Sequence, residues 1–435
     1  MSSSNPVASN PLLQDSLAAS SRKTVEFRRN VLDNGLEIVA EVNEEARSCS
    51  IGFFVRTGAR DETDDVAGVS HFLEHMMFKG TPSRTAEQVN LEFDALGADY
   101  NAFTSEEQTV YHASVLPEYQ RRTTELWADM LRPSLRTEDF VTEKKVIIEE
   151  IRMYLDQPPF GADDLVRSLH YGKHPLGRSV LGTVESIEAL PVEKMRAYFE
   201  RRYSPTNILI AAAGKVDFDA LVEDVQRYCH EWKRIDAERD IARAVGETKF
   251  QLLHKPQSTQ EYVIQVADAP SSTDPDRYAA KLLSIILGDD SGSRFFWDLV
   301  DPGLAESASI SHHDGQGSGA FVCYLASDPE LAADNLERLA KIYADVEANG
   351  VTETELAQAK SKVNSRLVLS GERSRGRMFN VGSNWLQRRE YRTIQDDLEA
   401  IDKITVADLA EVVKKWPLTR NTTVVVGPLE TIARP

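Results

Sequence analysis

Cysteine is scarce in this chain: Cys49, Cys229 and Cys323 are three in 435 residues, without metal-ligand spacing. That argues against a disulfide scaffold or a thiolate metal site, and suits small core residues in a reducing compartment. Positive charge is also short, with 50 Lys and Arg against 69 Asp and Glu and a net charge of −19. Such a balance repels nucleic acid and is compatible with basic or cationic peptides. No apolar run approaches the ~20 residues that span a bilayer, so no membrane partner is expected. Residues 1–24, rich in Ser, Asn and Ala, lack the basic start and apolar core of a secretory signal. Their only basic residues, Arg22 and Lys23, are too few for a mitochondrial transit peptide. They read as a disordered tail, and the expected location is the cytoplasm. With 41% hydrophobic and 27% charged residues, the rest has the composition of a soluble globular protein long enough for two cores.

Histidine is scarce too, at nine residues, yet two of them stand four apart in residues 64–80. This stretch reads as a helix opened by Asp64 and Asp65, with Lys79 in its last turn and a stop at Gly80. Phe72, Leu73, Met76, Met77 and Phe78 point all round it, as in a core helix. His71, Glu74 and His75 nevertheless gather within roughly a 100° arc. Histidines four apart on a helix can hold one zinc ion, and the glutamate before the second can reach an attacking water. This is the HxxEH pattern of the inverzincins. The plainer alternative is two core histidines hydrogen-bonded to Glu74 and backbone.

Around this stretch, Val25 to Val42 reads as a hairpin turning at Asp33-Asn-Gly, and Cys49 to Val55 as an apolar strand. Thr85 and Gln88 form a capping box for a helix that ends at Gly97. Ala98 to Phe103 and Thr109 to Leu116 read as paired strands, and Glu118 to Leu131 as a helix. From Thr137 another helix runs to Pro158 and Pro159, with Phe140, Ile147, Ile151 and Tyr154 on one face. Glu143 and Glu150 border that face, whereas Glu149 points to solvent. Two carboxylates at a core margin need compensation, which a metal site would supply. Partly exposed glutamates serving Lys144 or an arginine would explain this helix by itself. Its pairing with His71 and His75 favours the metal.

A helix near Val192 to Phe199, the apolar strand Asn207 to Ala213 and the helix Phe218 to Trp232 complete a first unit, 25–235. A charged aperiodic segment, 236–248, reads as a linker, and residues 249–435 replay the first half. The strands are Glu261 to Ala267, Gly319 to Leu325 and Thr422 to Val426; the helices are Asp276 to Leu287, Leu331 to Glu347 and Thr354 to Leu369. The expected fold class is α+β, two homologous α/β-sandwich domains from one duplicated unit. In place of the HxxEH helix the second copy has Tyr278-Ala-Ala-Lys-Leu-Leu-Ser-Ile-Ile-Leu, so only the first copy is expected to carry chemistry. His312-His313 reads as a polar loop, and His170 and His174 as surface histidines.

Five stretches in order make the chain resemble the pitrilysin/insulinase family of zinc peptidases. They are His71-Phe-Leu-Glu-His-Met-Met-Phe-Lys-Gly-Thr, Asn101-Ala-Phe-Thr-Ser, Val146-Ile-Ile-Glu-Glu-Ile, Leu176-Gly-Arg-Ser-Val-Leu-Gly, and Tyr203-Ser-Pro-Thr-Asn with Gly214. The likeness is to the half-length branch that includes the mitochondrial processing peptidase subunits. It implies half of a clamshell around an unfolded peptide, with His71, His75 and Glu150 as Zn2+ ligands and Glu74 as general base. Glu143 would support the site, and Glu149 is the rival ligand by spacing alone. The matching substrate-binding stretch is Asn101, Ala102 and Phe103, where a peptide would add as a strand; by itself it is equally a plain edge strand.

One departure stands out. The family's second domain has a pattern like Ser-Arg-Leu-Phe, then Arg and, seven later, Tyr. Here Ser293-Arg294-Phe295-Phe296 is followed by Val300 where the Arg would stand and Glu306 or Ser307 where the Tyr would stand. The resemblance therefore implies the metal-bearing subunit of a heteromeric endopeptidase whose partner, a related chain, supplies Arg and Tyr. The alternatives are a homodimer, a scaffold that binds zinc without turnover, and a non-catalytic structural or chaperone-like subunit.

Overall fold

The computed structural model describes residues 25–157, 159 and 161–435, so the tail expected over 1–24, and Pro158, lie outside the described residues. Two sheets organise the chain. In the first, β1 (Val25–Val31), β2 (Glu37–Asn43), β3 (Cys49–Val55), β4 (Asp99–Thr104), β5 (Thr109–Val115) and β6 (Ile208–Gly214) lie in the order β1-β2-β6-β3-β5-β4. The second has β7 (Phe250–His254), β8 (Glu261–Ala269), β9 (Ser307–Asp314), β10 (Gly319–Ser327) and β11 (Asn421–Gly427), ordered β7-β11-β8-β10-β9. Without β1 the two orders superpose strand for strand. Each has one parallel pair, β2 with β6 and β7 with β11, and antiparallel pairing elsewhere. The fold is thus a duplicated α+β unit.

Strand alternation explains how each sheet is covered on both faces. In β3, Cys49, Ile51, Phe53 and Val55 face the large core that includes Phe72, Met76 and Ile147. Phe54 faces the other way, against Met378 and Val381 of the helix Ser374–Arg388, which belongs to the second half of the chain. Gly382 permits that close approach, because a Cβ there would fall 2.4 Å from the Phe54 ring. The exchange is mutual: Ala162 and Val166 of the helix Ala162–Tyr171 pack on Ile264, Val266 and Val424 of the second sheet. Residues 232–249 join the halves without helix or strand. Among the described residues, no helix is long and apolar enough to cross a membrane.

Several elements depart from expectation. The helix expected over 64–80 spans only Val69–Met77, because Gly68 at φ +88 breaks the chain out of the short 3-10 turn Asp64–Val66. His312 and His313 lie in β9, not in a loop. His170 is buried, not on the surface, and its Nε2 lies 3.2 Å from Asp268 where the exchanged helix docks. His174 is half-buried beside it, its Nε2 3.1 Å from the Ala242 carbonyl.

Candidate metal centre

Phe72 of the HxxEH helix stacks on Phe140 of the helix Thr137–Asp156, with ring centroids 4.8 Å apart and planes at 8°. This contact holds the two helices side by side. Across it His71, His75 and Glu150 offer nitrogen and oxygen atoms that all lie within 4.8 Å of one another. His71 Nε2 is 3.8 Å from one Glu150 oxygen, and His75 Nε2 is 3.6 Å from the other. Both separations are too long for hydrogen bonds. Ligands held at ~2 Å by a tetrahedral ion stand roughly 3.3 Å apart, so the trio is spaced to share one metal ion.

The protonation states suit that task. Burial pushes His71 down to about 3, with His75 acting in the same direction, so its ring is neutral at pH 7 and has a lone pair to give. For His75 burial is the largest influence and would lower the pKa. The hydrogen bond to Glu143 and the charges of Glu150, Glu143 and Glu74 outweigh it and raise the value. A bound cation would oppose that proton.

Glu143 is almost wholly buried, about two turns from Glu150 in the same helix. Its Oε1 lies 2.9 Å from His75 Nδ1, and its Oε2 pairs with Lys79 Nζ at 2.6 Å. Burial is the strongest influence on this carboxyl and raises its pKa, but His75 and Lys79 together hold it below the usual range. The carboxylate thus grips the far nitrogen of His75 and leaves Nε2 turned toward His71 and Glu150. Lys144, a candidate partner from sequence, instead donates to the carbonyls of Glu188 and Leu190. Glu149 is exposed and pairs with Arg152 at 2.6 Å.

Glu74 is half-buried, and burial lifts its carboxyl above the usual range. Thr104 Oγ1 donates to its Oε2 at 2.6 Å and partly offsets that shift. Thr104 ends β4, the outer strand of the first sheet, so the strand with an open edge touches the candidate base directly. The Asn101–Phe103 trio splits by alternation: Ala102 packs toward the metal-side core, and Phe103 faces Phe379 at 6.0 Å on the other side. Asn101 Oδ1 accepts the N–H of Ala102 at 2.9 Å. Thr104 went unremarked in the sequence, although period-two alternation places it with Ala102.

In the second half, Arg294 is tied to Glu355 and Asp345, each at 2.8 Å. Val300 packs against the second core, Glu306 accepts a hydrogen bond from Gln260, and Ser307 opens β9.

Residues 37–184 match the model of the insulinase family, peptidase family M16, and residues 189–363 match that of the peptidase M16 inactive domain. A relative in Mycobacterium tuberculosis, named an uncharacterized zinc protease, is 33% identical over 408 residues, covering 92% of this chain and 93% of its own. One in Bacillus subtilis with the same description is 31% identical over 382 residues, covering 87% and 93%. Among solved structures, a protease from Helicobacter pylori superposes with a TM-score of 0.86 at 22% identity, covering 93% of this chain and all of that one. A putative M16-like peptidase from Alicyclobacillus acidocaldarius gives 0.80 at 22% identity, covering 92% and 98%. The superpositions bear on the fold, the sequence matches on descent: this chain belongs to the insulinase family of peptidases, M16.

Proposed function

We propose that the chain is the metal-bearing subunit of a zinc endopeptidase that cuts unfolded peptides or short polypeptides. The observation that carries this reading is the convergence of His71, His75 and Glu150 beside Glu74, a carboxylate with a raised pKa that accepts a hydrogen bond from Thr104 at the end of an open-edged strand. His71, His75 and Glu150 would hold zinc, which when bound supplies Lewis acidity to the scissile carbonyl and to the attacking water. Glu74 takes the proton from that water and later delivers it to the leaving amine. Glu143 keeps the His75 ring in place from behind. A peptide added along β4 gains main-chain hydrogen bonds that tolerate many sequences, and Ala102 and Thr104 run toward the base.

The same reading makes the chain half of a clamshell, completed by a related chain that supplies Arg and Tyr. Its three cysteines are free and buried, which fits an enzyme of the reducing cytoplasm. A non-catalytic subunit would have no need of a glutamate poised beside the donors. The deciding comparison is Glu74→Gln against His71→Ala. The first should keep zinc and lose peptide cleavage, and the second should lose both. Near-normal turnover by Glu74→Gln in the active assembly would refute the mechanism.

A further inference from the structure

Glu62 is 2% exposed and has no cation within salt-bridge distance among the described residues, with Arg178 acting on it only through space. Its Oε2 accepts the N–H of Gly68 and its Oε1 the N–H of Ser70, both at 2.7 Å. These are orphan donors at the start of the HxxEH helix, whose own N-cap, Gly68, has no side chain to offer them. Ser70 Oγ continues the network to Tyr198 at 2.9 Å, and Tyr198 reaches Thr57 at 2.7 Å.

The loop that carries Glu62 is held firmly from behind. Arg239, in the segment between the two halves, bonds both oxygens of Asp61 and the carbonyl of Glu107. Arg60 bonds the Glu107 carboxylate and the carbonyl of Gln316, which lies in the second half. The Glu62 carboxylate is therefore a fixed point, and the first turn of a nine-residue helix is registered against it.

We propose that Glu62 is a positioning residue of the metal centre, which sets the place of His71 by bridging the backbone N–H groups of Gly68 and Ser70. This rests on the metal reading above. A neutral Ser, Thr or Asn cap satisfies such donors at little desolvation cost, whereas a buried carboxylate is expensive. What it adds is a two-pronged grip, one oxygen to each N–H, that leaves the helix one position. Ser70 immediately precedes His71, so any slack in the grip reaches the ligand undamped.

The test compares the full chain with Glu62→Gln, Glu62→Asp and His71→Ala, using zinc alone and a competing chromophoric chelator. Glu62→Gln should weaken zinc tenfold or more, and in the assembly active on peptides should lower kcat while KM stays within about twofold. Glu62→Asp keeps the charge but reaches one N–H at a time, and should fall between. Zinc affinity unchanged in the folded variants, with only a lower melting temperature of the metal-free protein, would make Glu62 a plain helix cap and overturn the proposal. If neither Glu62 variant folds while His71→Ala does, the residue serves the fold and the proposal is equally overturned. Zinc retained by His71→Ala would instead sink the metal reading itself.

Discussion

Glu149 and Glu150 are neighbours in sequence with opposite surroundings. Glu149 makes an exposed pair with Arg152, of a kind worth at most about 1 kcal/mol. Glu150 stands between two imidazoles that its hydrogen-bonding distance does not reach. Zinc affinity should therefore rank the three glutamates of this helix. Glu150→Gln should lose most, and Glu143→Gln should lose the roughly 10–100-fold typical of a residue that orients a ligand. Glu149→Gln should lose nothing measurable. Metal titration of the purified variants decides, and equal retention by Glu149→Gln and Glu150→Gln would show that the ligand assignment is wrong. The helical wheel is enough to turn Glu149 outward, since the three glutamates differ in angle to one apolar face.

Glu62 was invisible to that kind of reasoning. It sits in a run with Asp61, Asp64 and Asp65, and composition cannot say which acids of an acidic loop turn inward. Burial pushes its carboxyl up to about 7 against the hydrogen bonds from Ser70 and Gly68. The folded chain thus holds this proton more tightly than the unfolded chain does, and stability from this group is present below about pH 4.5. It is lost as pH rises toward 7, by roughly 3 kcal/mol. The stability of the parent minus that of Glu62→Gln should fall between pH 5 and 8, as read from denaturant melts at both. A difference that rises with pH would reverse the sign assigned here.

At the scale of elements, the readable parts were those with strong periodicity or punctuation. β3 and β6 are mostly apolar and buried throughout because both faces of the sheet are covered, and the Thr85 capping box with Gly97 bounds a helix to the residue. Strands β7 and β9 are partly exposed edge strands, the first only five residues long and the second closed by the polar run Ser311-His-His-Asp, so neither carries a long apolar signal. The helix Ser374–Arg388 is interrupted by Gly376 and Gly382, and its apolar residues Met378, Phe379, Val381, Trp385 and Leu386 pack across a sheet that another part of the chain builds. No window on local sequence reports a helix exchanged between halves.

That exchanged helix is anchored by charge. Arg377 donates to both oxygens of Glu41, the second also accepts from Tyr391 at 2.8 Å, and Arg377 and Glu41 are both buried. Removing the arginine strands a buried carboxylate, which typically costs about 3–5 kcal/mol. Arg377→Met should accordingly destabilise the chain by roughly 3 kcal/mol, and adding Glu41→Gln should recover part of the loss. Denaturant unfolding of the two variants tests this. A double variant no more stable than the single one would mean that helix packing, not the stranded charge, sets the cost.

At the scale of the whole molecule, duplication supplies a second sheet without a second HxxEH helix, so the later half is free to do something else. In the reading proposed here, its counterpart in an opposing chain closes over the bound peptide and contributes Arg and Tyr. This chain has Val300 at the first position, packed against the second core, and Glu306 or Ser307 at the other. The nearby Arg294 is held by Glu355 and Asp345, so it is already committed to binding its own domain together. A symmetric pair of these chains would bind zinc and hold a peptide on β4 but lack those donors for the developing oxyanion. One such donor is worth about 3 kcal/mol, a hundredfold or more in rate. The chain purified alone should therefore contain zinc and cut an unfolded peptide slowly. Adding a related chain that lacks HxxEH but carries the Arg and Tyr should raise kcat at least a hundredfold at unchanged zinc content. Full activity from the purified homodimer, unaffected by any such partner, would show that other residues of this chain serve in their place.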